Sequence, residues 1–169
     1  MMAKVLMVIA NNGFQDYEFG IPFDMLNEAG VKVVIAAGKK GECVGVFGSK
    51  TIADKELDKV NGLEYDMVLF IGGGGAYSQY FHDKEYLRIA KESKKIGAIC
   101  ITPMILSESG LFNGKNVTGW NQNGVQKKFI QDNGGFWVDK DVVVSGNIVT
   151  ATGPDVAEEF ARKCLELVN

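Results

Sequence analysis

The sequence predicts a three-layer α/β sandwich in which helices cover both faces of a mostly parallel sheet. Apolar runs of strand length alternate along the chain with helix-length segments, which is the pattern of βαβ units. The runs are apolar at successive positions, as expected of strands that are buried on both faces. A chain of 169 residues fits one domain. We therefore expect a single flavodoxin-like domain over residues 1–169, with a small extra hairpin outside the sheet.

The chain begins with a predicted βαβ unit. Lys4–Ala10 is a β-branched apolar run, and Asp16 is a residue type that caps the helix expected after it. Pro22 lies inside the helical segment, so the helix either begins beside this proline or begins earlier and kinks there. We favour the early start. Gly30 suits a left-handed C-terminal cap, and Val31–Ala37 then forms the second strand.

The remaining elements follow from local patterns of apolar, glycine and capping residues. In chain order we predict a hairpin over 41–52, a short helix over 54–60, a strand over 67–71, a helix over 83–94, a strand over 96–99, a helix over 103–109, a strand over 115–118, a helix over 125–132, a pair of strands within 136–150 and a helix over about 154–168.

Charge and cysteine content exclude several classes of protein. The 18 Lys and Arg residues are interspersed with 21 Asp and Glu residues, giving a net charge of -3, so no basic footprint for nucleic acid or a membrane surface is present. Three widely spaced cysteines fit neither a disulfide framework nor a metal site. The first apolar run is too short for a signal peptide. We expect a cytoplasmic protein that binds neither nucleic acid nor membranes.

Three chemically distinctive segments follow predicted strands. These are Asn11–Glu18 after the first strand, the glycine-rich stretch Gly72–Tyr77 after the third main strand, and Cys100 after the fourth. In open parallel sheets, ligands bind beyond the carboxyl ends of the strands. We therefore expect these segments to meet at one site.

Cys100 is the candidate nucleophile among the three cysteines. It lies at a strand-to-helix turn, where the free N–H groups of the following helix stabilise a thiolate and lower its pKa. A buried, inert cysteine is the alternative. Cys43 and Cys164 lack this context.

Gly72–Gly75 and Glu18 are the candidate partners of Cys100. Consecutive glycine N–H groups suit an oxyanion site, although a tight structural turn explains them equally well. The stretch departs from the dinucleotide fingerprint, because Tyr77 occupies the third glycine position. A desolvated Glu18 would exchange protons with a ligand, or it would simply complement the helix dipole. The only histidine, His82, is expected at the surface, and no metal or cofactor is implied.

The ordered set of motifs resembles the ThiJ/PfpI family over nearly the whole chain. The residues that carry the resemblance are Lys4–Val8, Glu18–Asp24, Asp66–Ala76, Gly97–Pro103 with Leu106, Gly110–Leu111, Gly114–Lys115 and Asp141–Thr150. The resemblance implies a nucleophile elbow at Cys100, Glu18 hydrogen-bonded to its sulfur, and the N–H groups of Gly73 and Ile101 as the oxyanion site. It also implies a homodimer or a higher homo-oligomer. We expect Gly72, Gly74, Thr102 and Trp120 to line the pocket, with Tyr77 at its mouth.

Two departures from the family pattern bear on the reaction. Ile101 follows the cysteine where protease-like members have histidine, and Trp120 stands where another branch has histidine. A missing base disfavours proteolysis. We expect a cofactor-free, Cys100-dependent enzyme that acts on small reactive carbonyls or their protein adducts through Glu18. The alternatives are a non-catalytic redox sensor with an oxidisable Cys100, an intracellular protease or amidase, and an inactive scaffold that works with a partner.

Overall fold

A computed structural model describes residues 1–169 and contains three sheets. The strands are β1 Lys4–Val8, β2 Asn12–Phe14, β3 Lys32–Ala37, β4 Gly41–Gly45, β5 Lys50–Ala53, β6 Lys55–Glu56, β7 Met67–Phe70, β8 Ile96–Ile99, β9 Asn116–Val117, β10 Phe136–Trp137, β11 Val142–Ser145 and β12 Ile148–Ala151. The α-helices are α1 Asp16–Glu28, α2 Gly74–Tyr80, α3 Lys84–Glu92, α4 Thr102–Ser107, α5 Val125–Asp132 and α6 Ala157–Val168.

The main sheet has seven strands in the order β11-β12-β8-β7-β1-β3-β6. Every neighbouring pair is parallel except β11 and β12. Every residue of β7, β8 and β12 is buried, because helices flank the sheet and cover its apolar strands. The predicted α/β class with a mostly parallel sheet is confirmed. The carboxyl ends of β1, β7 and β8 lie side by side, as the candidate site requires.

The predicted hairpin forms outside the main sheet and gains a third strand. It consists of β4 and β5, and β2 pairs with β4. The Asp16 carboxylate accepts hydrogen bonds from the N–H groups of Phe47 and Ser49, both at 2.9 Å. Burial opposes ionisation of Asp16, but these donors outweigh it and lower the pKa of the carboxyl. Asp16 therefore ties the hairpin turn to the start of α1.

Helix α1 starts early, as predicted, and continues through Pro22. Its N-cap is Gln15, whose side-chain oxygen accepts from the N–H groups of Tyr17 and Glu18. The prediction that Asp16 is the cap is wrong, because its carboxylate binds the hairpin instead. Glu18 lies in the first turn, and Gly30 adopts the expected left-handed conformation with φ +78°.

One further prediction of secondary structure is wrong, and two features of the structure were not predicted. Residues 54–60 form the short edge strand β6 and a single 3-10 turn, not an α-helix. Strand β9 pairs with β10 away from the main sheet. The glycine-rich stretch continues into α2, which we did not predict because glycine is a poor helix former. No helix combines the length and apolar character that crossing a bilayer requires.

Candidate active site

Cys100 occupies a sharp turn between β8 and α4. Its φ is +65°, a left-handed conformation that costs a non-glycine residue energy and is retained only when the surroundings enforce it. Two hydrogen bonds do so: the Cys100 N–H donates to the Ala151 carbonyl at 2.9 Å, and its carbonyl accepts from the Trp120 N–H at 2.8 Å. The backbone is therefore locked on both sides. The side chain remains partly exposed.

Glu18 reaches the same point from α1. Its side chain is fully buried, and its Oε1 accepts a hydrogen bond from the Gly72 N–H at 2.9 Å. The carboxyl also lies beside the Cys100 thiol, close enough for each group to affect the pKa of the other, and its Oε2 has no hydrogen-bond partner in the protein. A Cβ at Gly72 would lie 2.5 Å from Oε1 and 2.8 Å from the Cys100 Cβ. Glycine at position 72 is what lets the two functional side chains meet.

Two backbone N–H groups face the Cys100 sulfur. They belong to Ile101, on the turn itself, and to Gly73, which precedes α2. Gly73 has φ +113°, and a Cβ there would collide with the carbonyl of Gly13. The predicted oxyanion donors thus lie together beside the sulfur. They favour negative charge at this point.

The ionisation of the pair differs from the sequence prediction. Burial raises the pKa of Glu18 to about 7, although the Gly72 N–H and the Cys100 thiol partly oppose the shift. Burial and the negative charge of Glu18 raise the pKa of Cys100 well above its ordinary value. The predicted lowering is wrong, because these two effects outweigh the N–H donors of Ile101 and Gly73. Helix α4, which follows Cys100, has only six residues, so few aligned peptide dipoles favour the thiolate.

A pocket of about 390 Å³ opens over the Cys100 side chain. Its lining residues are Gly73, Gly74, Tyr77, Cys100, Ile101, Met104, Trp120, Val125 and Gln126. Gly74, Trp120 and Tyr77 lie where we predicted them. Gly72 and Thr102 do not line it. Gly72 faces Glu18, and the buried Thr102 hydroxyl donates to backbone carbonyls at the end of β7 and β8.

Met104, Val125 and Gln126 are pocket residues that the sequence did not reveal. Met104 looks like an ordinary apolar residue of α4, and Val125 and Gln126 begin α5, which lies far from Cys100 in the chain. No local motif marks them. Only the packing of α5 beside α4 brings them to the pocket.

The other candidate groups lie elsewhere. His82 is exposed, as predicted, and its Nδ1 lies 2.7 Å from the Glu108 carboxylate. Cys43 and Cys164 are fully buried, and all three cysteines are free. No group of three or more His, Cys, Asp or Glu side chains is placed to hold a metal ion.

Fold and site together define a class of α/β proteins with a cysteine on a strained strand-to-helix turn, faced by a buried carboxyl. Comparison with known families makes the assignment specific. The sequence model of the DJ-1/PfpI family matches residues 3–167, and the chain belongs to this family.

Individual relatives match nearly end to end. A deglycase of Pyrococcus horikoshii is 33% identical over 98% of this chain and 99% of its own length. A ThiJ/PfpI domain protein from Brachyspira murdochii has a TM-score of 0.92 at 26% identity, covering 100% of this chain and 98% of that one. The structure of oxidized DJ-1 from Toxoplasma gondii has a TM-score of 0.84 at 27% identity, covering 98% and 90%.

Proposed function

We propose that the protein is a cysteine-dependent enzyme that acts on small reactive carbonyl compounds and on their protein adducts. The observation that carries the proposal is the meeting of a thiol, a buried carboxyl with a pKa of about 7 and two N–H donors at one point. The similarity to a deglycase supports the same chemistry. No cofactor takes part in it.

Glu18 and Cys100 act as one titrating unit. Because each raises the cost of a second negative charge nearby, the pair gives up one proton near pH 7 and keeps the other. In the one-proton state the proton passes between the thiol and the adjacent carboxyl. Glu18 is therefore a general base whose pKa matches neutral pH, which is where such a base is most effective.

The reaction with a 2-oxoaldehyde begins when the Cys100 sulfur attacks the aldehyde carbon. A C–S bond forms, the C=O π bond breaks, and Glu18 passes the thiol proton to the new oxyanion beside the Gly73 and Ile101 N–H groups. Glu18 then moves the proton of this carbon to the neighbouring ketone carbon, and the hydroxyl proton moves to the ketone oxygen through an enediol, which converts the hemithioacetal into a 2-hydroxy thioester. Water hydrolyses the thioester to a 2-hydroxy acid and the free thiol.

A protein adduct reacts with the Cys100 sulfur in the same first step. In an adduct of the aldehyde with an amine, the sulfur displaces the amine: the C–S bond forms, the C–N bond breaks, and the amine leaves with the proton from Glu18. An amide needs stronger activation of the nucleophile and of the leaving group than an aldehyde does. Since no histidine lines the pocket, carbonyl chemistry is favoured over proteolysis.

Conversion of methylglyoxal to lactate by the purified protein tests the proposal. We expect turnover that is lost in Cys100→Ser, falls by about a hundred- to ten-thousandfold in Glu18→Gln, and is unchanged in His82→Ala. Activity that persists in Cys100→Ser would contradict the role of the thiol. Loss of activity in His82→Ala would point instead to a histidine supplied by a neighbouring subunit.

A redox sensor is the second candidate function. The lack of a histidine base in the pocket and the similarity to oxidized DJ-1 favour it. Two equivalents of peroxide convert a thiolate to a sulfinate with release of two waters, and protonated Glu18 with the two N–H groups would hold the sulfinate oxygens. Stoichiometric oxidation at Cys100 without turnover of any aldehyde would favour this function over catalysis.

We also propose that the protein is a homodimer or higher homo-oligomer in a reducing cytoplasm. Its free cysteines fit that compartment. An exposed apolar patch, formed by Tyr17 on α1 and by Val46 and Phe47 in the turn between β4 and β5, is the face we assign to self-association. The Tyr17 and Phe47 rings lie 6.1 Å apart across the junction of the two elements.

A further inference from the structure

The pocket over Cys100 has uncharged, mostly apolar walls. Tyr77, Ile101, Met104, Trp120 and Val125 supply most of its side chains, and no Lys, Arg, Asp or Glu lines it. A charged or polyhydroxylated ligand would lose its water there without gaining polar partners. An apolar substituent would gain free energy from the same walls.

The rim of the pocket exposes three of these side chains to solvent. Tyr77 is 44% exposed, Trp120 40% and Val125 59%. Ile101 and Met104, at 7% and 6%, form the buried part of the wall. A contiguous set of exposed apolar side chains around a reactive group is typical of a binding site.

The volume of the pocket exceeds the needs of the smallest aldehydes. Methylglyoxal has five non-hydrogen atoms, whereas a cavity of about 390 Å³ is of the size that holds larger organic molecules. A small polar aldehyde would leave the apolar walls in contact with water. An aromatic or branched substituent would fill the space between Trp120, Tyr77 and Met104.

Gln126 is the one side-chain amide in the lining. It is 8% exposed, and its Oε1 accepts a hydrogen bond from the Gln122 N–H at 2.7 Å. This bond fixes the amide, and its NH2 group has no partner within the protein. The pocket thus offers one oriented donor to a ligand carbonyl.

We propose that the pocket selects 2-oxoaldehydes with an aromatic or branched apolar substituent, which packs against Trp120, Tyr77 and Met104, while Gln126 donates to the ketone oxygen. This inference rests on the proposed carbonyl chemistry and names its substrate class. The aldehyde carbon lies at the Cys100 sulfur and its oxygen lies at the Gly73 and Ile101 N–H groups. Bonds form and break as in the reaction above.

Phenylglyoxal and methylglyoxal are the matched substrates for the first experiment. We expect kcat/KM for phenylglyoxal to exceed that for methylglyoxal by about ten- to a hundredfold. In Trp120→Ala the ratio should fall to within about threefold. Phe136→Ala removes an exposed aromatic ring of β10 outside the pocket and should leave the ratio unchanged. A wild-type ratio near one would overturn the assignment of substrate class.

Gln126→Glu tests the ketone donor. Glutamate keeps an oxygen for the Gln122 N–H and removes the amide donor. We expect kcat/KM to fall about tenfold for both aldehydes with their ratio retained. Unchanged kcat/KM for both would rule out the hydrogen bond to the ketone.

Alkylation separates the choice of substituent from the carbonyl chemistry, because it needs no turnover. The rate constants of Cys100 with iodoacetamide and N-benzyl-iodoacetamide, each divided by its rate constant with glutathione, give a normalised ratio. We expect the benzyl probe to lead by about tenfold in the wild type and to lose that lead in Trp120→Ala. A faster normalised rate for the benzyl probe, without turnover of either aldehyde, would contradict the carbonyl chemistry but support the selection of apolar substituents. Equal normalised rates overturn the selection itself.

Discussion

At the scale of single residues, the chemistry that we propose for the site depends on Glu18 and Cys100 sharing a proton. Either group alone has an ordinary role in an α/β fold, as a carboxylate at a helix start or as a partly buried thiol. Burial of both around Gly72 changes this, because the fold cannot hold two negative charges there. The consequence is a carboxyl that titrates near neutral pH beside a thiol.

The pH dependence of Cys100 alkylation tests this coupling. In the wild type we expect the rate to rise through a midpoint near pH 7, because loss of the first proton of the pair creates the state that contains thiolate. In Glu18→Gln no group titrates there. The variant also lacks the negative charge that helps to raise the thiol pKa, so its rate should show no plateau above pH 7 and should exceed the wild-type rate by at least about tenfold at pH 9.

Peptide mass spectrometry locates the label in that experiment. The buried Cys43 and Cys164 serve as internal controls and should stay unlabelled in the native protein. A midpoint that is identical in the wild type and in Glu18→Gln would mean that Glu18 does not control the thiol.

At the scale of elements, the glycines before α2 illustrate how the backbone builds the site. A Cβ at Gly72 would lie 2.5 Å from the Glu18 Oε1 and 2.8 Å from the Cys100 Cβ, so glycine is required there. Gly73 directs its N–H to the sulfur from a conformation that only glycine adopts readily. Helix α2 then begins at Gly74. Its glycines let the backbone approach the site closely, although glycine lowers the helix propensity of this segment.

Gly73→Ala and Gly74→Ala form a matched pair that measures this constraint. At Gly73 a methyl group meets the backbone of Gly13 and requires φ +113°, so we expect a loss of at least about 3 kcal/mol in the free energy of unfolding. At Gly74 nothing lies within 4 Å of the added carbon. That change should be neutral or stabilise by up to about 1 kcal/mol. Urea unfolding measures both, and equal effects would refute the constraint.

At the scale of the whole molecule, the buried carboxyl lowers the stability of the fold at neutral pH. The folded state holds the Glu18 proton up to about pH 7, whereas an ordinary glutamate releases it near 4.5. The folded pKa is raised, so its stabilising effect is complete at low pH and is lost as the pH rises from 4.5 to 7. A shift of this size corresponds to about 3 kcal/mol.

Glu18→Gln should remove this dependence. The variant has no titrating group at the position, so we expect its advantage in unfolding free energy over the wild type to grow by about 3 kcal/mol between pH 4.5 and pH 7.5. Chemical denaturation at several pH values measures it. Parallel pH curves for the two proteins would contradict a raised pKa of Glu18.

Self-association provides the second test at this scale. Phe47 is 71% exposed in the apolar patch, so Phe47→Asp should shift the protein from dimers or larger oligomers towards monomers in sedimentation equilibrium. Val144→Asp changes an exposed apolar residue of β11 outside the patch and should leave the assembly intact. A monomeric wild type would disprove the proposed interface.

The sequence by itself determined the α/β class, the main strands and the position of Cys100 after a strand. Runs of apolar residues, and a cysteine just before a helix that starts with proline, are local features. Such features can be predicted from the sequence because each depends only on residues that are neighbours in the chain. The early start of α1 through Pro22 and the left-handed Gly30 belong to the same group.

Only the tertiary structure decided the ionisation and the shape of the site. The Gly72 N–H binds a carboxyl 54 positions away in the chain, and the pKa values of Glu18 and Cys100 depend on burial by elements that no local pattern relates to them. Desolvation is the sum of contributions from all surrounding segments. For this reason the sequence placed Cys100 correctly on a strand-to-helix turn, while the predicted shift of its pKa had the wrong sign and the α5 side of the pocket was not predicted.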